Sequence, residues 1–172
     1  MTEENIELMQ PTPALKAALQ AMAEEYREYG ENRHQGLLDD FEGSIRKLEE
    51  SSRGRNLPAG YVPATTFFLV RSGQTILGRS SLRHRLTPAL EHEGGHIGYD
   101  VRPSQRRKGY GTLILALTLE KAREMGLTRV LVTCDTDNVA SRRIIQKNGG
   151  KFQDEVISER SGKPVCRYWI DL

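Results

Sequence analysis

Residues 101–112 constrain the fold of this chain more than any other segment. They read Val-Arg-Pro-Ser-Gln-Arg-Arg-Lys-Gly-Tyr-Gly-Thr, and an apolar run follows directly at residues 113–117. This order predicts a strand ending at Pro103, then a basic loop, a Gly-x-Gly pair and a helix. Glycines lack a Cβ, so successive backbone N–H groups can converge there. The first helical turn adds N–H donors and the positive end of the helix dipole, which predicts a phosphate or pyrophosphate cradle.

The charges and the glycine spacing limit which kind of phosphate-binding motif this loop can be. Arg106, Arg107 and Lys108 place formal positive charge beside the glycines. The loop lacks the third glycine of a dinucleotide fingerprint and the Gly-Lys-Ser/Thr of a Walker loop. If the glycines stood alone, a tight turn with a solvated basic face would explain them equally well.

Composition indicates a globular protein. The 172 residues are 28% charged and 37% hydrophobic, which favours a single domain over residues 1–172. The formal net charge of +2 is too small to indicate nucleic acid binding. No apolar run reaches the ~18 residues of a membrane span, and residues 2–5 do not resemble a signal peptide, so we expect a cytoplasmic protein that does not bind membranes. Cys134 and Cys166 lie in strand-like segments and are expected to be buried free thiols.

Hydrophobic periodicity and turn residues predict seven strands and four helices. The fold class is therefore α/β (α+β), with a mixed sheet covered by helices. Residues 51–60 and 87–95 are predicted to be loops. The predicted strands are 6–9, 65–70, 75–84, 96–101, 130–133, 152–158 and 165–172, and the predicted helices start near residues 13, 38, 109 and 138.

The pattern Val-x-Pro-x-x-Arg-x-x-Gly-x-Gly is present, with Val101, Pro103, Arg106, Gly109 and Gly111 in place. It resembles the acyl-CoA-binding motif of the GNAT superfamily of N-acyltransferases. The resemblance implies a splayed central sheet of about seven strands with helices on both faces. It also implies transfer of an acetyl group from acetyl-CoA to a primary amine, by direct attack in a ternary complex.

The same resemblance implies a set of coenzyme A-binding residues. A second family motif, Asn-x-x-Ala/Ser, is matched by Asn138 and Ser141 and implies contact with the pantetheine arm. Helix capping is an alternative role for both residues. The family tyrosine that protonates the departing thiolate aligns with Ile145, so another group, water or unaided departure must replace it. The implied residues are Val101, Arg106, Arg107, Lys108, Gly109, Tyr110, Gly111, Thr112, Asn138 and Ser141.

The resemblance further implies a catalytic arrangement around a pair of splayed parallel strands. A backbone N–H near Val101 would polarise the thioester carbonyl, and Gly98 is a candidate for a β-bulge beside it. His96 is the first candidate for the proton acceptor, because imidazole titrates near neutral pH. Asp100 is the second candidate. A histidine hydrogen-bonded in the sheet and an ordinary strand aspartate are the alternatives.

Two other functions are weighed against acetyl transfer. Residues 92–96 read His-Glu-Gly-Gly-His, which matches the zinc-protease signature, but that motif works on a helix and two glycines disfavour one here. We therefore expect no metal, with His92 and His96 as ligands in the zinc hydrolase alternative. A non-catalytic acyl-CoA sensor is the other alternative, and Ile145 favours it. For the enzyme, a small-molecule or peptide amine is the expected acceptor, and a homodimer is possible because dimers are common in the family.

Overall fold

The computed structural model describes residues 4–172 and contains two antiparallel sheets with helices around them. The strands are β1 (Ile6–Met9), β2 (Ala64–Arg71), β3 (Thr75–Arg83), β4 (Ile97–Val101), β5 (Arg129–Asp135), β6 (Lys151–Ile157) and β7 (Pro164–Asp171). The helices are α1 (Lys16–Glu28), α2 (Gly36–Asp39), α3 (Phe41–Ser52), α4 (Pro88–His92), α5 (Tyr110–Glu124) and α6 (Val139–Lys147). Short 3-10 turns lie at Pro13–Leu15 and Pro103–Gln105.

The first sheet has the order β1-β2-β3-β4 and the second has the order β5-β7-β6. Within the described residues every ladder is antiparallel, so the expected pair of parallel central strands is not a hydrogen-bonded ladder. The sheets meet beside the start of β4, where His96 N donates to Leu131 O at 2.8 Å. The rest of β4 has an open edge, which places a gap between the sheets.

Helices cover both faces of the first sheet, as expected. On one face α1 and α3 bury a cluster that includes Leu19, Met22 and Phe41 against β2 and β3. On the other face α5 packs through Ile114 against Leu69 and Leu77. Helix α5 also packs on the second sheet through residues such as Leu115 and Leu119. Burial of this apolar surface holds the two sheets around α5.

The structure differs from the predicted elements at three places, and local capping explains two of them. The predicted helix near residue 38 is divided into α2 and α3, because Asp40 caps the second helix by accepting from Gly43 N at 3.1 Å. The predicted loop at 87–95 contains α4, which Thr87 caps by accepting from Leu90 N at 3.3 Å. Gly98 pairs in regular register with β3, so the predicted bulge is absent.

Among residues 4–172, no helix has both the length and the apolar character needed to cross a bilayer. Both cysteines are free; Cys166 is buried, whereas Cys134 is only half-buried. The expectation of two buried thiols is therefore right for Cys166 and partly right for Cys134.

Candidate functional site

A groove of about 750 Å³ lies at the end of β4, where the two sheets part. We call it the β4–α6 groove. Its walls are formed by the segment after α1, the end of β4, the following loop with the first turn of α5, and α6. Its volume lies within the usual range of small-molecule sites. The lining residues are Glu31, Arg33, Tyr99, Asp100, Val101, Arg106, Arg107, Gly109, Gly111, Thr112, Asn138, Ala140, Ser141, Arg143, Ile144 and Lys147.

Residues 106–112, which we call the glycine loop, present backbone donors to this groove. Gly109 is the N-cap of α5 with φ 86°, a left-handed conformation that glycine adopts without the Cβ penalty. The N–H groups of Tyr110, Gly111 and Thr112 lie in the first turn and therefore have no acceptor within the helix. No side chain caps this helix end, so these donors are available to a ligand. A Cβ on Gly111 would lie 2.5 Å from Ile144 Cδ1, so this glycine permits the close approach of α5 and α6.

Glu25 of α1 fixes the chain that leads into the glycine loop. Its carboxylate accepts from Arg102 Nε at 2.5 Å and from Ser104 N at 2.7 Å. Burial alone would raise the pKa of Glu25, but these hydrogen bonds and the Arg102 charge lower it below its usual value. Glu25 lies 77 positions before Arg102, and no local signal in the sequence indicates this contact.

Helix α6 brings a polar pair to the opposite wall. Asn138 Oδ1 accepts from Ser141 N at 3.0 Å, so the capping role of Asn138 is real. The Ser141 hydroxyl forms a 2.7 Å hydrogen bond with the hydroxyl of Tyr99. Burial raises the pKa of Tyr99 to about 12, so this hydroxyl keeps its proton at neutral pH. Ile145, at the position of the family tyrosine, is fully buried in the main core.

Every second residue of β4 directs its backbone N–H and C=O toward the groove. Arg102 N donates to Leu77 O, which marks an inter-strand hydrogen-bonded pair at the end of the β3–β4 register. In an antiparallel ladder the intervening residues direct their N–H and C=O groups away from the partner strand. Tyr99 and Val101 occupy these positions, and Val101 O accepts from the Tyr26 hydroxyl at 3.0 Å. The Val101 N–H therefore faces the open edge, as the predicted carbonyl-polarising group requires.

Asp100 lies on the groove wall within a group of side chains from separate elements. Its Oδ1 accepts from the Tyr26 hydroxyl at 2.7 Å and lies 3.1 Å from His34 Nε2. Arg79 is its partner across the β3–β4 ladder. Burial raises the pKa of Asp100, but the contacts with His34 and Tyr26 and the charge of Arg79 lower it more, so Asp100 is an ionised carboxylate. We call Tyr26, His34, Arg79 and Asp100 the Asp100 cluster.

His96 lies outside this groove. It precedes β4, and its Nδ1 accepts from Leu131 N at 2.9 Å. Burial, together with the charges of Arg83 and Arg129, lowers the pKa of His96 to about 4. The neutral ring therefore carries its proton on Nε2 and has no free lone pair. This geometry fits the alternative role, a histidine hydrogen-bonded between the sheets, and does not fit the predicted proton acceptor.

The predicted coenzyme A residues line the groove, with the exceptions of Lys108 and Tyr110. Lys108 Nζ lies 3.4 Å from Gln105 Oε1, and Tyr110 packs against an apolar cluster under α5. Sequence reasoning missed several lining residues. Arg143 and Lys147 are four positions apart on α6, a spacing that places both on one helix face and could have indicated them. The others missed are Glu31, Arg33, Tyr99, Ala140 and Ile144.

The zinc-protease motif does not have the required conformation. Helix α4 ends at His92, and Glu93 has an extended backbone. His92 Nε2 bonds to Ile157 O at 2.8 Å, whereas His96 bonds to β5. The two histidines therefore do not share a helix face. Over residues 4–172, no group of three or more His, Cys, Asp or Glu side chains is placed to hold a metal ion.

Comparison with known families agrees with the fold. The model of the acetyltransferase (GNAT) domain family matches residues 6–151. The chain belongs to this family, and it is therefore an acetyltransferase. A sequence search of curated proteins finds no match.

Solved structures confirm the GNAT fold. RimJ of Mycobacterium smegmatis, in complex with CoA-disulfide, has a TM-score of 0.73 at 15% identity, over 96% of this chain and 81% of that one. A Salmonella typhimurium acetyltransferase that modifies the N-terminal serine of ribosomal protein L7/L12 has a TM-score of 0.68 at 16% identity, over 97% and 95%. The microcin C7 self-immunity acetyltransferase MccE, in complex with acetyl-CoA and AMP, has a TM-score of 0.69 at 15% identity, over 99% and 94%.

Proposed function

We propose that this enzyme transfers an acetyl group from acetyl-CoA to a primary amine, by direct attack of the amine on the thioester in a ternary complex. One observation carries the proposal: the backbone donors of the glycine loop and the open edge of β4 share a single groove. Backbone donors suit the binding of a diphosphate, and an open strand edge suits a thioester that must be held and polarised.

The glycine loop fits the diphosphate of coenzyme A. A Cβ on Gly109 would project into open space, so a ligand can approach its backbone closely. The N–H groups of the first turn of α5 supply donors without side chains. Arg107, Arg143 and Lys147 line the same groove and complement the charge of the phosphates. MccE, which shares the fold, is in complex with acetyl-CoA, and this supports acetyl-CoA as the ligand.

The open edge of β4 fits the acyl-pantetheine arm, which can add to a sheet edge as an extended chain. The Val101 N–H points to this edge and can stabilise the charge that develops on the carbonyl oxygen. As the amine nitrogen bonds to the carbonyl carbon, the C–S bond breaks and a thiolate leaves. The protonated Tyr99 hydroxyl and its partner Ser141 are then available to donate a proton, in place of the tyrosine that Ile145 replaces.

The acceptor side of the groove is marked by Asp100. An ionised carboxylate attracts an ammonium group and so favours amine acceptors. One solved structure of the same fold belongs to an enzyme that modifies a protein N-terminal serine, which supports testing peptide N-termini beside small amines.

Thiol release from acetyl-CoA tests this function. The amine panel contains spermidine, glycinamide, a peptide with an N-terminal serine and an N-terminally blocked peptide with one lysine. We expect at least one amine to raise thiol release above hydrolysis and to gain one acetyl group by mass spectrometry. Coenzyme A binding without transfer to any amine would favour the non-catalytic sensor. Absence of coenzyme A binding would overturn both functions.

A further inference from the structure

Gly98 leaves an opening in the middle of β4. It is exposed, whereas the other residues of this strand are buried or half-buried. A Cβ at this position would meet no heavy atom within 4 Å outside its chain neighbours, so the space above the strand is open. Gly98 pairs with Ser81 in regular register and does not have a positive φ, so the backbone conformation does not require glycine. A glycine of this kind marks a place where another molecule can approach a strand closely.

The open space lies on the face of β4 that carries the Asp100 carboxylate. Residues two apart in a strand share a face and are separated by about 6.5 Å, so a Cβ on Gly98 would point to the same side as Asp100. The side chains of Tyr99 and Val101 point to the opposite face, toward Ser141 of α6 and toward the glycine loop. One face of β4 is therefore turned to the coenzyme A side of the groove, and the other to the acceptor side.

Strand β3 extends the open face. Ser81 lies opposite Gly98 in the ladder, and Arg79 and Arg83 are two positions away on either side of Ser81. These three residues are half-buried, whereas the residues between them are buried. Helices α1 and α3 pack against earlier parts of the sheet and leave this face partly open to solvent. We call Arg79, Ser81, Arg83 and Gly98 the Gly98 surface.

Positive charge on the Gly98 surface exceeds what Asp100 can balance. The Nε of Arg79 is buried and has no hydrogen-bond partner among the described residues. Arg83 donates to the carbonyl oxygens of Gly94 and Gly95 at 3.2 and 2.9 Å, and neither contact neutralises its charge. Asp100 attracts one ammonium group, but further positive charge on the same molecule is repelled by the two guanidinium groups. Such a surface suits an amine whose neighbouring groups are neutral or acidic.

We propose that Gly98 is a specificity-determining residue: the groups next to the reacting amine lie over its bare backbone, and Arg79 and Arg83 select acceptors with one ammonium group over polyamines. This inference rests on the proposed function. The amine lies between the Asp100 carboxylate and the thioester, and the rest of the acceptor extends along β4 away from the glycine loop. A side chain at position 98 narrows this path without entering the coenzyme A side of the groove.

A graded series at position 98 tests the path. Gly98→Ala, Gly98→Val and Gly98→Leu should lower kcat/KM for the best amine of the panel progressively, by at least ~10-fold in the leucine variant, mainly through the KM for the amine. Coenzyme A affinity, measured by calorimetry, should stay within about twofold of wild type. The Tm should be kept or raised, because glycine weakens a strand and valine favours one. Unfolding therefore cannot explain the loss.

Glu7→Leu is the matched control. Glu7 is an exposed residue of β1, the other outer strand of the same sheet, and it lies outside the groove. The same leucine is thus added to an outer strand far from the acceptor path. This variant should keep the wild-type kcat/KM for the amine and the wild-type affinity for coenzyme A.

A pair of variants of equal size tests the charge selectivity. Gly98→Asp and Gly98→Asn place similar side chains on the path and differ in charge. Relative to the asparagine variant, the aspartate variant should raise the ratio of kcat/KM for spermidine to that for glycinamide by roughly three- to fivefold. High salt should reduce this difference, because the added charge is exposed. A structural role for position 98 would not change this ratio.

The outcomes separate this inference from the proposed function. A Gly98→Leu variant with kcat/KM for the amine within about twofold of wild type would overturn the proposal, and so would an equal loss of amine and coenzyme A affinity. A wild-type preference for spermidine over glycinamide would overturn the charge selectivity. If wild type binds coenzyme A but acetylates no amine, the proposed function fails, and this inference fails with it.

Discussion

The glycine loop and the Asp100 cluster both adjoin the end of β4, but they are built in different ways. The glycine loop is one continuous segment, and its donors are backbone N–H groups around Gly109. The Asp100 cluster combines side chains from α1, the following segment, β3 and β4. The first region depends on backbone conformation and the second on tertiary packing. Substitutions should therefore affect ligand binding in the loop and chemistry in the cluster.

The largest expected effect tests the backbone character of the loop. Gly109→Val should weaken coenzyme A binding by at least ~100-fold, because the side chain would occupy the groove where the ligand meets the loop. Gly126→Val is the matched control. Gly126 has a φ of 85° and, like Gly109, open space where a Cβ would stand, but it lies beyond the end of α5, outside the groove.

Calorimetric titration with coenzyme A measures the difference between these two variants. Both should lose similar stability, since both place a Cβ in a left-handed conformation, and only Gly109→Val should lose affinity. If Gly109→Val binds coenzyme A as wild type does, the glycine loop is not the diphosphate site.

A second prediction concerns His96, which belongs to neither region. His96→Ala should lower the free energy of unfolding by about 3 kcal/mol, because Leu131 N–H loses its buried acceptor and the ring leaves a cavity. The corresponding fall in Tm is roughly 6–12 °C. The kcat of the folded variant should be unchanged, and a large loss of kcat would restore His96 as a candidate proton acceptor.

The pH dependence of stability sharpens the assignment of His96. The pKa of His96 is about 4 in the folded protein against an ordinary value of 6.5, so the unfolded chain binds more protons between these values. The contribution of His96 is therefore full above pH 6.5 and is lost as pH falls toward 4. The stability difference between wild type and His96→Ala should narrow over that window, as chemical denaturation at each pH would show. A constant difference would contradict the burial of a neutral ring.

The smallest effect is expected at Arg106, which links the two regions. Its Nε donates to Val101 O at 3.2 Å, and its guanidinium pairs with Glu31. Both partners of the ion pair are partly exposed, so the pair contributes no more than about 1 kcal/mol. Arg106→Ala should weaken coenzyme A binding by less than ~10-fold, far less than Gly109→Val. An equal loss in the two variants would mean that side-chain charge, rather than backbone shape, holds the ligand.

The same contrast explains what the sequence could predict. The glycine loop, the cap at Asn138 and the apolar stripe of α5 depend on residues close together in the chain. The sequence pattern alone therefore predicts these local structures. The contact between His34 and Asp100 carries no local signal, because it forms only when the segment after α1 packs against β4. For His96 the residue type and strand position suggested a base, whereas the hydrogen bond from Leu131 N to its ring, which fits a structural role, crosses between the sheets and leaves no local signal.

The most direct test of the account is an NMR titration of the wild-type protein with coenzyme A, followed through backbone amide shifts. We expect the largest shifts on Val101 and on the amides of residues 107–112, with smaller shifts at the start of α6. Amides around the cavity between α3 and β2, near Ile45 and Thr66, should not move. Shifts confined to that cavity, or side-chain signals that move while the amides of 107–112 stay fixed, would contradict a backbone-built coenzyme A site at the end of β4.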